Sequence, residues 1–399
     1  MDALVNRLDR AQEWSFFEDS RYREVLELLD PGVINPMQRG SGSMSERESD
    51  NQADGGNYRG NSRLRLRLDK TAKAGVPIGT KSCNLDCLMC HNDYFLYADG
   101  SIRAISNQAF ADAVRKVIAA SRVSQSVIYL AGSGEPTTVG IAELTNLIQL
   151  LKEIPEVTAV RMTTNGVLLK DMAQPLKKAG LDGVRVSINS LDKQVYFFIT
   201  GAYGLEAAIE GIKASLATGL EVKVNVIYSK LNDREIDDFI RFSRSHEGVV
   251  VKFFDLLPNN RLSERLHLPI NQLENKLARH ACEVLTLDQV YPSRLYVFDP
   301  PGLVQVKGFS TNHCPNLTCI ARDLCVEDCR DMVRIGLDGI MRPCGVREDN
   351  TINLIAPSVT EEHIREALHS GGKLETSDPI DTQVIKSKSP NIQTSGNDV

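Results

Sequence analysis

Between residues 76 and 258 the chain alternates two hydrophobic rhythms. Short apolar runs at 76–80, 126–131, 157–163, 184–188, 221–228 and 249–254 read as strands, with helical patterns near 106–121, 140–153, 168–179, 204–218 and 233–245 between them. Six strands and five crossovers predict parallel pairing with right-handed connections. Six units are too few for a closed eight-stranded barrel, which leaves an α/β partial barrel or a doubly wound sheet. In either, chemistry sits at the carboxyl ends of the strands.

The flanks read differently. Residues 1–35 carry Leu8, Trp14, Phe17, Tyr22, Val25, Leu26 and Leu29 in a loosely helical pattern that stops at Pro31-Gly32, a small helical segment. From Arg39 to Arg63 only Met44, Ala53 and Tyr58 offer apolar surface, too little to offset the entropy of ordering, so 36–63 is expected to be a flexible linker ahead of a barrel at 64–258. Residues 259–370 form a further region, with a helix at 270–281 and a strand at 304–309, and the polar tail 371–399 is expected to be disordered.

Composition narrows the function classes. The 399 residues are 42% hydrophobic and 25% charged, with 46 Lys plus Arg against 52 Asp plus Glu and a net charge of −6. That balance gives the chain as a whole no electrostatic reason to coat a nucleic-acid polymer or an anionic membrane. No apolar run approaches the ~18 residues of a membrane span, and the first residues lack a basic-then-apolar secretory pattern. A cytoplasmic protein is the expectation.

Nine cysteines add candidate chemistry because they cluster. Cys83, Cys87 and Cys90 lie just beyond the first expected strand in a CxxxCxxC loop, which supplies three thiolates from one short segment. A four-iron cube so held keeps one iron without a protein thiolate; a zinc knuckle completed by His91 is the plainer alternative. His91 and Tyr94 otherwise read as ordinary loop residues. Cys314, Cys319, Cys325, Cys329 and Cys344 fall within 31 positions and point to a second metal centre, with structural zinc as the alternative. RIGLDGIMRPC, ending at Cys344, reads as strand, Asp338-Gly339 turn, strand. Cys282 stands alone and reads as a packed small hydrophobe.

The CxxxCxxC loop, Gly134-Glu135-Pro136 after the second strand and Thr163-Thr164-Asn165-Gly166 after the third together resemble the radical S-adenosylmethionine superfamily. GVRVSINSLD at 183–192, Phe198-Ile199-Thr200-Gly201, GLEVKVNVI at 219–227 and KFFDLLP at 252–258 further resemble its GTP 3′,8-cyclase branch, from molybdenum-cofactor biosynthesis. The resemblance implies a partial (β/α)6 TIM-like barrel and a [4Fe-4S] cluster on Cys83, Cys87 and Cys90. S-adenosylmethionine would bind the open iron and be cleaved reductively to a 5′-deoxyadenosyl radical that abstracts hydrogen from substrate. Gly134 and Glu135 would receive its amino group. Thr164, Asn165, Ser187 and Lys223 would add cofactor contacts, all at strand ends facing one mouth. A flavodoxin- or ferredoxin-type reductant is the implied electron donor.

Cys329 through Gly339 to Cys344 is similar to the hairpin of SPASM or twitch auxiliary-cluster domains, implying a small C-terminal cysteine-rich domain with a second [4Fe-4S] cluster. Cys325 and Cys329 form CxxxC where the cyclases have CxxC, and Cys314 and Cys319 are further ligand candidates. Several arginines on which the cyclases rely for GTP are replaced: Val76, Leu130, Lys252 and Met332 stand at the aligned places, Met89 replaces a frequent aromatic, and Gly371-Gly372 is internal. Lys252 and Arg334 are the candidate substrate contacts, with Asp255 as an anchor for one of them. The resemblance and these departures together predict a radical enzyme on a cyclase-like scaffold with another substrate: a small metabolite, a nucleotide or sugar derivative, or a peptide. A divergent GTP 3′,8-cyclase and a non-catalytic iron–sulfur electron carrier are the alternatives.

Overall fold

The computed structural model describes residues 63–71, 83–88, 90, 103–132, 134–256, 261–287, 293–307, 332–343, 350–370 and 384–387. The strand expected at 76–80 lies outside these, and the first described strand is β1, Arg63–Leu68. Its sequence RLRLRL alternates at the strand period of two, so the expected linker ends where Arg63 begins to pair. Leu64, Leu66 and Leu68 face the helices in the core, and the arginines between them face the other way.

The other expected strands are present: β2 (Gln125–Leu130), β3 (Val157–Thr164), β4 (Gly183–Ser187), β5 (Glu221–Ile227) and β6 (Val249–Phe254). They pair in parallel in chain order. The crossovers are α1 (Asn107–Ser121), α2 (Ile141–Lys152), α3 (Leu169–Ala179), α4 (Lys193–Thr200) with α5 (Leu205–Ala217), and α6 (Ile236–Ser245). Their boundaries have local causes. Ser106 caps α1 by accepting from the Ala109 amide at 3.1 Å. Asp192 caps α4 by accepting from the Gln194 and Val195 amides. Gly201, at φ 74°, ends α4 in the left-handed conformation that glycine adopts without a Cβ penalty.

The sheet does not stop at six strands. Two helices follow, α7 (Arg261–Leu266) and α8 (Ile270–Ala278), and then β7 (Glu283–Leu287), β8 (Ser293–Phe298) and β9 (Gly302–Lys307). β9 pairs in parallel with β6, and β8 and β7 continue from it antiparallel. On the opposite edge β10 (Met332–Ile335) pairs in parallel with β1, followed antiparallel by β11 (Ile340–Arg342) and β12 (Ile352–Asn353). Helix α9 (Glu361–Ser370) packs near α1, and β13 (Val384–Ser387) pairs with β7. Among the described residues the sheet thus has 13 strands, unclosed, and strands beyond residue 258 belong to it without a break.

β10 and β11 form the expected hairpin, with Gly339 at φ 76° and the Asp338 carboxylate accepting from the Ile340 amide. Cys282 departs from expectation: it is exposed, its thiol donating to the Val297 carbonyl at 3.2 Å, because the chain there runs at the rim of β7 rather than in the core. No described helix is long and apolar enough to cross a membrane.

Candidate active site

The carboxylate of Glu135 organises the mouth of the sheet. It follows β2, caps a short 3₁₀ turn at Pro136–Val139 and is 2% exposed. Its Oε1 accepts from the Thr137 amide (3.1 Å), the Thr137 hydroxyl (2.7 Å) and the Thr164 hydroxyl (2.6 Å), while Oε2 accepts from the Asn165 amide at 2.6 Å. Burial pushes this carboxyl above the usual range, opposed by those four donors. A carboxylate has about four lone-pair sites, so Oε2, with one donor, is the atom that retains capacity.

The network runs on to the cysteine loop. Asn165 donates from Nδ2 to Asn84 Oδ1 at 2.7 Å, tying the turn after β3 to the residue following Cys83. Asn165 Oδ1 accepts from the Val167 amide, and Thr164 Oγ1 accepts from the Gly166 amide. Glycine is required at 166: φ is 80°, and a Cβ there would lie 2.6 Å from Val186 Cγ1. On its other flank the loop is pinned to α4, Asp86 and Leu88 donating their amides to the Thr200 and Ile199 carbonyls at 2.7 and 2.9 Å. Cys83 and Cys87 are half-buried and Cys90 exposed, and none of the three is in a disulfide. Among the described residues no three His, Cys, Asp or Glu side chains are gathered into a metal-holding group.

The family model described as the Radical SAM superfamily matches residues 78–243. A protein named probable GTP 3′,8-cyclase from Thermococcus kodakarensis is 30% identical over 289 residues, 69% of this chain and 86% of that one. Another of the same name from Methanothermobacter marburgensis is 30% identical over 324 residues, 79% of this chain and 94% of that one. This chain belongs to the radical SAM superfamily. Its fold is also that of a solved structure described as native anSMEcpe with bound AdoMet and Cp18Cys peptide, at a TM-score of 0.52 and 14% identity over 78% of this chain and 84% of that one.

Radical SAM membership makes the chain an enzyme that uses a [4Fe-4S] cluster and S-adenosylmethionine. The residues present fit the pair: three soft thiol donors share one loop, and on α4, whose carbonyls receive that loop's amides, the Tyr196 hydroxyl is buried with no hydrogen-bond partner. Thr164 and Ser187 end β3 and β4, and Glu135 lies just past β2, at the carboxyl mouth as expected. Gly134 precedes Glu135 there and is half-buried.

Lys223 departs from that placement. It is the third residue of β5, level with Arg185 and two residues below Ser187, and Glu221 is its ion partner at 3.5 Å. It therefore lies about 7 Å deeper than the mouth at ~3.3 Å per residue. Lys252 pairs in register with Asn225 and Gln305, so Ser187, Asn225, Lys252 and Gln305 form one row across β4, β5, β6 and β9. Arg334 is level with Arg67 on the next strand. Asp255 anchors neither cation; its partner is His267 Nε2 at 3.2 Å. Cys314, Cys319, Cys325, Cys329 and Cys344, with Val76, Met89, His91, Tyr94 and Gly371-Gly372, lie outside the described residues. Leu130 is fully buried among the helix-facing core, where it has no access to a ligand.

Several concave-face residues escaped the sequence reading. Arg185 stacks on the Tyr129 ring at 4.4 Å and donates to its hydroxyl at 3.1 Å, its Nε without a partner. Arg161 pairs with Glu221 at 2.8 Å. Lys252 is held well below the ordinary lysine range by burial and by the charges of Lys307, Arg185, Lys223 and Arg65. Arg65 is on β1, five strands from β6, about 24 Å away in a flat sheet; its influence on Lys252 reflects the curl of the sheet around a common interior. The alternating arginines of RLRLRL were the signal, since period two places them opposite the core leucines.

Proposed function

We propose that this enzyme holds its cluster on Cys83, Cys87 and Cys90, binds S-adenosylmethionine at the mouth beside Gly134, Glu135, Thr164, Asn165 and Ser187, and acts on a polyanionic, phosphorylated small molecule. The observation that carries the substrate class is the concave face, where Arg65, Arg185, Lys223 and Lys307 lie within electrostatic reach of Lys252, and Glu221 opposes the charge of Lys223. Crowded cations that depress a lysine are relieved when an anion binds. When bound, the cluster and S-adenosylmethionine supply hydrogen-atom abstraction. The chain's own residues orient: Glu135 fixes the turn after β3, Asn165 fixes the cysteine loop, and Lys223, Lys252 and Arg334 hold phosphate.

A second cluster on cysteines drawn from Cys314, Cys319, Cys325, Cys329 and Cys344 is part of the proposal. The β10–β11 hairpin supports it, since Cys329 is three residues before one strand and Cys344 two residues after its neighbour. A flavodoxin- or ferredoxin-type protein would deliver the electron, with no role for nucleic-acid polymer or membrane.

GTP 3′,8-cyclisation itself is the second reading, favoured by the name of the relatives. Against it stand the replaced arginine positions, of which Leu130 is sealed in the core. One experiment separates them: reconstitute the purified chain anaerobically, count iron and sulfide, and measure 5′-deoxyadenosine formation with GTP, other phosphorylated metabolites and their dephosphorylated forms. Stimulation by a phosphorylated compound other than GTP supports the main reading. A cyclised GTP product establishes the second, and stimulation by uncharged compounds alone overturns both.

A further inference from the structure

The interior of the curled sheet holds a guanidinium with no carboxylate of its own. Arg185 is on β4, and its side chain reaches across β3 to Tyr129 on β2, lying 4.4 Å from the ring centre with Nη2 donating to the hydroxyl at 3.1 Å. Glu221, the acid nearby, is already shared: Arg161 pairs with it at 2.8 Å and Lys223 at 3.5 Å. Among the described residues no carboxylate lies within ion-pair distance of Arg185, and its Nε is buried with no hydrogen-bond partner.

Tyr129 is equally fixed. Its ring is 8% exposed and packs with Val127, Ala159 and Met332 in a small apolar cluster on the concave face. The hydroxyl oxygen accepts from Arg185, which leaves the phenolic proton for a further acceptor. Nε and Nη2 lie on one edge of the planar guanidinium fork, so the unpartnered Nε–H and the phenolic O–H are near enough to serve two oxygens of one anion. Buried cations are ordinarily paired, and this one finds an aromatic face and a hydroxyl instead.

Register sets the depth of the pair. Ser187, in the proposed S-adenosylmethionine site, is two residues further along β4 on the same face, about 7 Å nearer the mouth. A molecule lodged beneath that cofactor therefore meets Arg185 and Tyr129, with Lys223 level with Arg185 on the next strand. Burial and the charge of Arg161 both disfavour the Arg185 cation, a penalty that an incoming anion relieves.

We propose that Arg185 and Tyr129 form a phosphate clamp, in which Arg185 Nε and the Tyr129 hydroxyl donate to two oxygens of one phosphate group of the substrate. A guanidinium held flat on a ring fixes direction as well as charge, which a lysine ammonium does not. The clamp orients the substrate, while the surrounding lysines attract it. The proposal rests on the reading of the substrate as a phosphorylated anion.

The test is calorimetric binding of inorganic tripolyphosphate to the anaerobically reconstituted full-length protein, with S-adenosylmethionine affinity measured beside it. Arg185→Lys keeps the charge and removes the fork, and tripolyphosphate binding is expected to weaken about tenfold. Tyr129→Phe keeps the ring and removes the hydroxyl, with about fivefold weakening expected. The double variant should lose less than the product of the two factors, because the donors act on one group. S-adenosylmethionine affinity should not change. Unchanged tripolyphosphate affinity in both single variants, with wild type binding, overturns the clamp and leaves the phosphorylated-anion reading standing. No binding by wild type overturns that reading and the clamp with it. Equal losses of tripolyphosphate and S-adenosylmethionine affinity show general distortion and overturn the clamp. Tricarballylate bound as tightly as tripolyphosphate, with the same losses, overturns the assignment to phosphate. Should Arg185→Lys fail to fold, Tyr129→Phe, which preserves the stack, decides by itself: weakened binding supports the clamp and unchanged binding overturns it.

Discussion

The Thr164 hydroxyl donates to Glu135 Oε1 across 2.6 Å, joining the end of β3 to the turn that follows β2. Through the Asn165 amide on Oε2 and the Asn165 side chain on Asn84, the same carboxylate sets the position of the cysteine loop. Disturbing it should therefore be felt at the cluster as well as at S-adenosylmethionine.

Glu135→Ala leaves four buried donors without their acceptor. At ~1–3 kcal/mol per unsatisfied group, partly relieved by relaxation, the expected loss is about 2–4 kcal/mol. Urea unfolding of the protein before reconstitution measures this, and equilibrium binding of S-adenosylmethionine to the loaded protein is expected to weaken at least tenfold. Unchanged stability would show that the network is not cooperative.

Gly166→Ala introduces a Cβ 2.6 Å from Val186 Cγ1 at a residue with φ 80°. Left-handed strain and the clash together should cost about 1–3 kcal/mol. A lower Tm with reduced S-adenosylmethionine binding is the expected result, since Thr164 and Asn165 lie in the same turn.

Lys252 supplies a pH dependence. Its ammonium is destabilised by burial and by surrounding cations, so its proton leaves well below the ordinary lysine range. The charge that attracts an anion is present at low pH and is lost as pH rises through that depressed pKa. Binding of tripolyphosphate, followed calorimetrically, should weaken with rising pH well before pH 10. Lys252→Met should flatten that profile and weaken binding at neutral pH by about tenfold, the worth of one charge-assisted contact of ~1.5 kcal/mol.

Glu235 supplies a second. It accepts from the Ser190 hydroxyl and from the Leu191 and Asp192 amides, and burial raises its carboxyl to about 7. Below pH ~4.5 both states are protonated; between there and about 7 only the folded state keeps the proton, so this group's contribution to stability falls as pH rises. The stability difference between wild type and Glu235→Gln should shift against wild type across that window, by on the order of 3 kcal/mol at most. Urea unfolding at several pH values checks the direction.

The motifs carried most of what the sequence disclosed. CxxxCxxC, Gly134-Glu135-Pro136 and the Thr164-Asn165 turn are local: each needs only a strand end and a short loop, so residue order alone places it. The alternation of apolar runs with helical patterns gave the parallel core for the same reason. β1 escaped the sequence reading because RLRLRL is short, carries three arginines and adjoins a polar stretch, although its period of two was present. Lys223 looked like a mouth residue because its motif spans the whole strand, and only the register of β5 against β4 shows its depth.

By itself, then, the sequence determined the thiol loop, the turns at the strand ends and the parallel βα order, because these depend on spacing within a few residues. The tertiary structure decided which side chains share an interior: the reach of Arg65 to Lys252 across the curled sheet, the closure of Glu135 by two different βα units, and the pinning of the cysteine loop to α4. Those relations join residues tens to nearly two hundred positions apart. They exist only once sheet curvature and helix packing have fixed the distances.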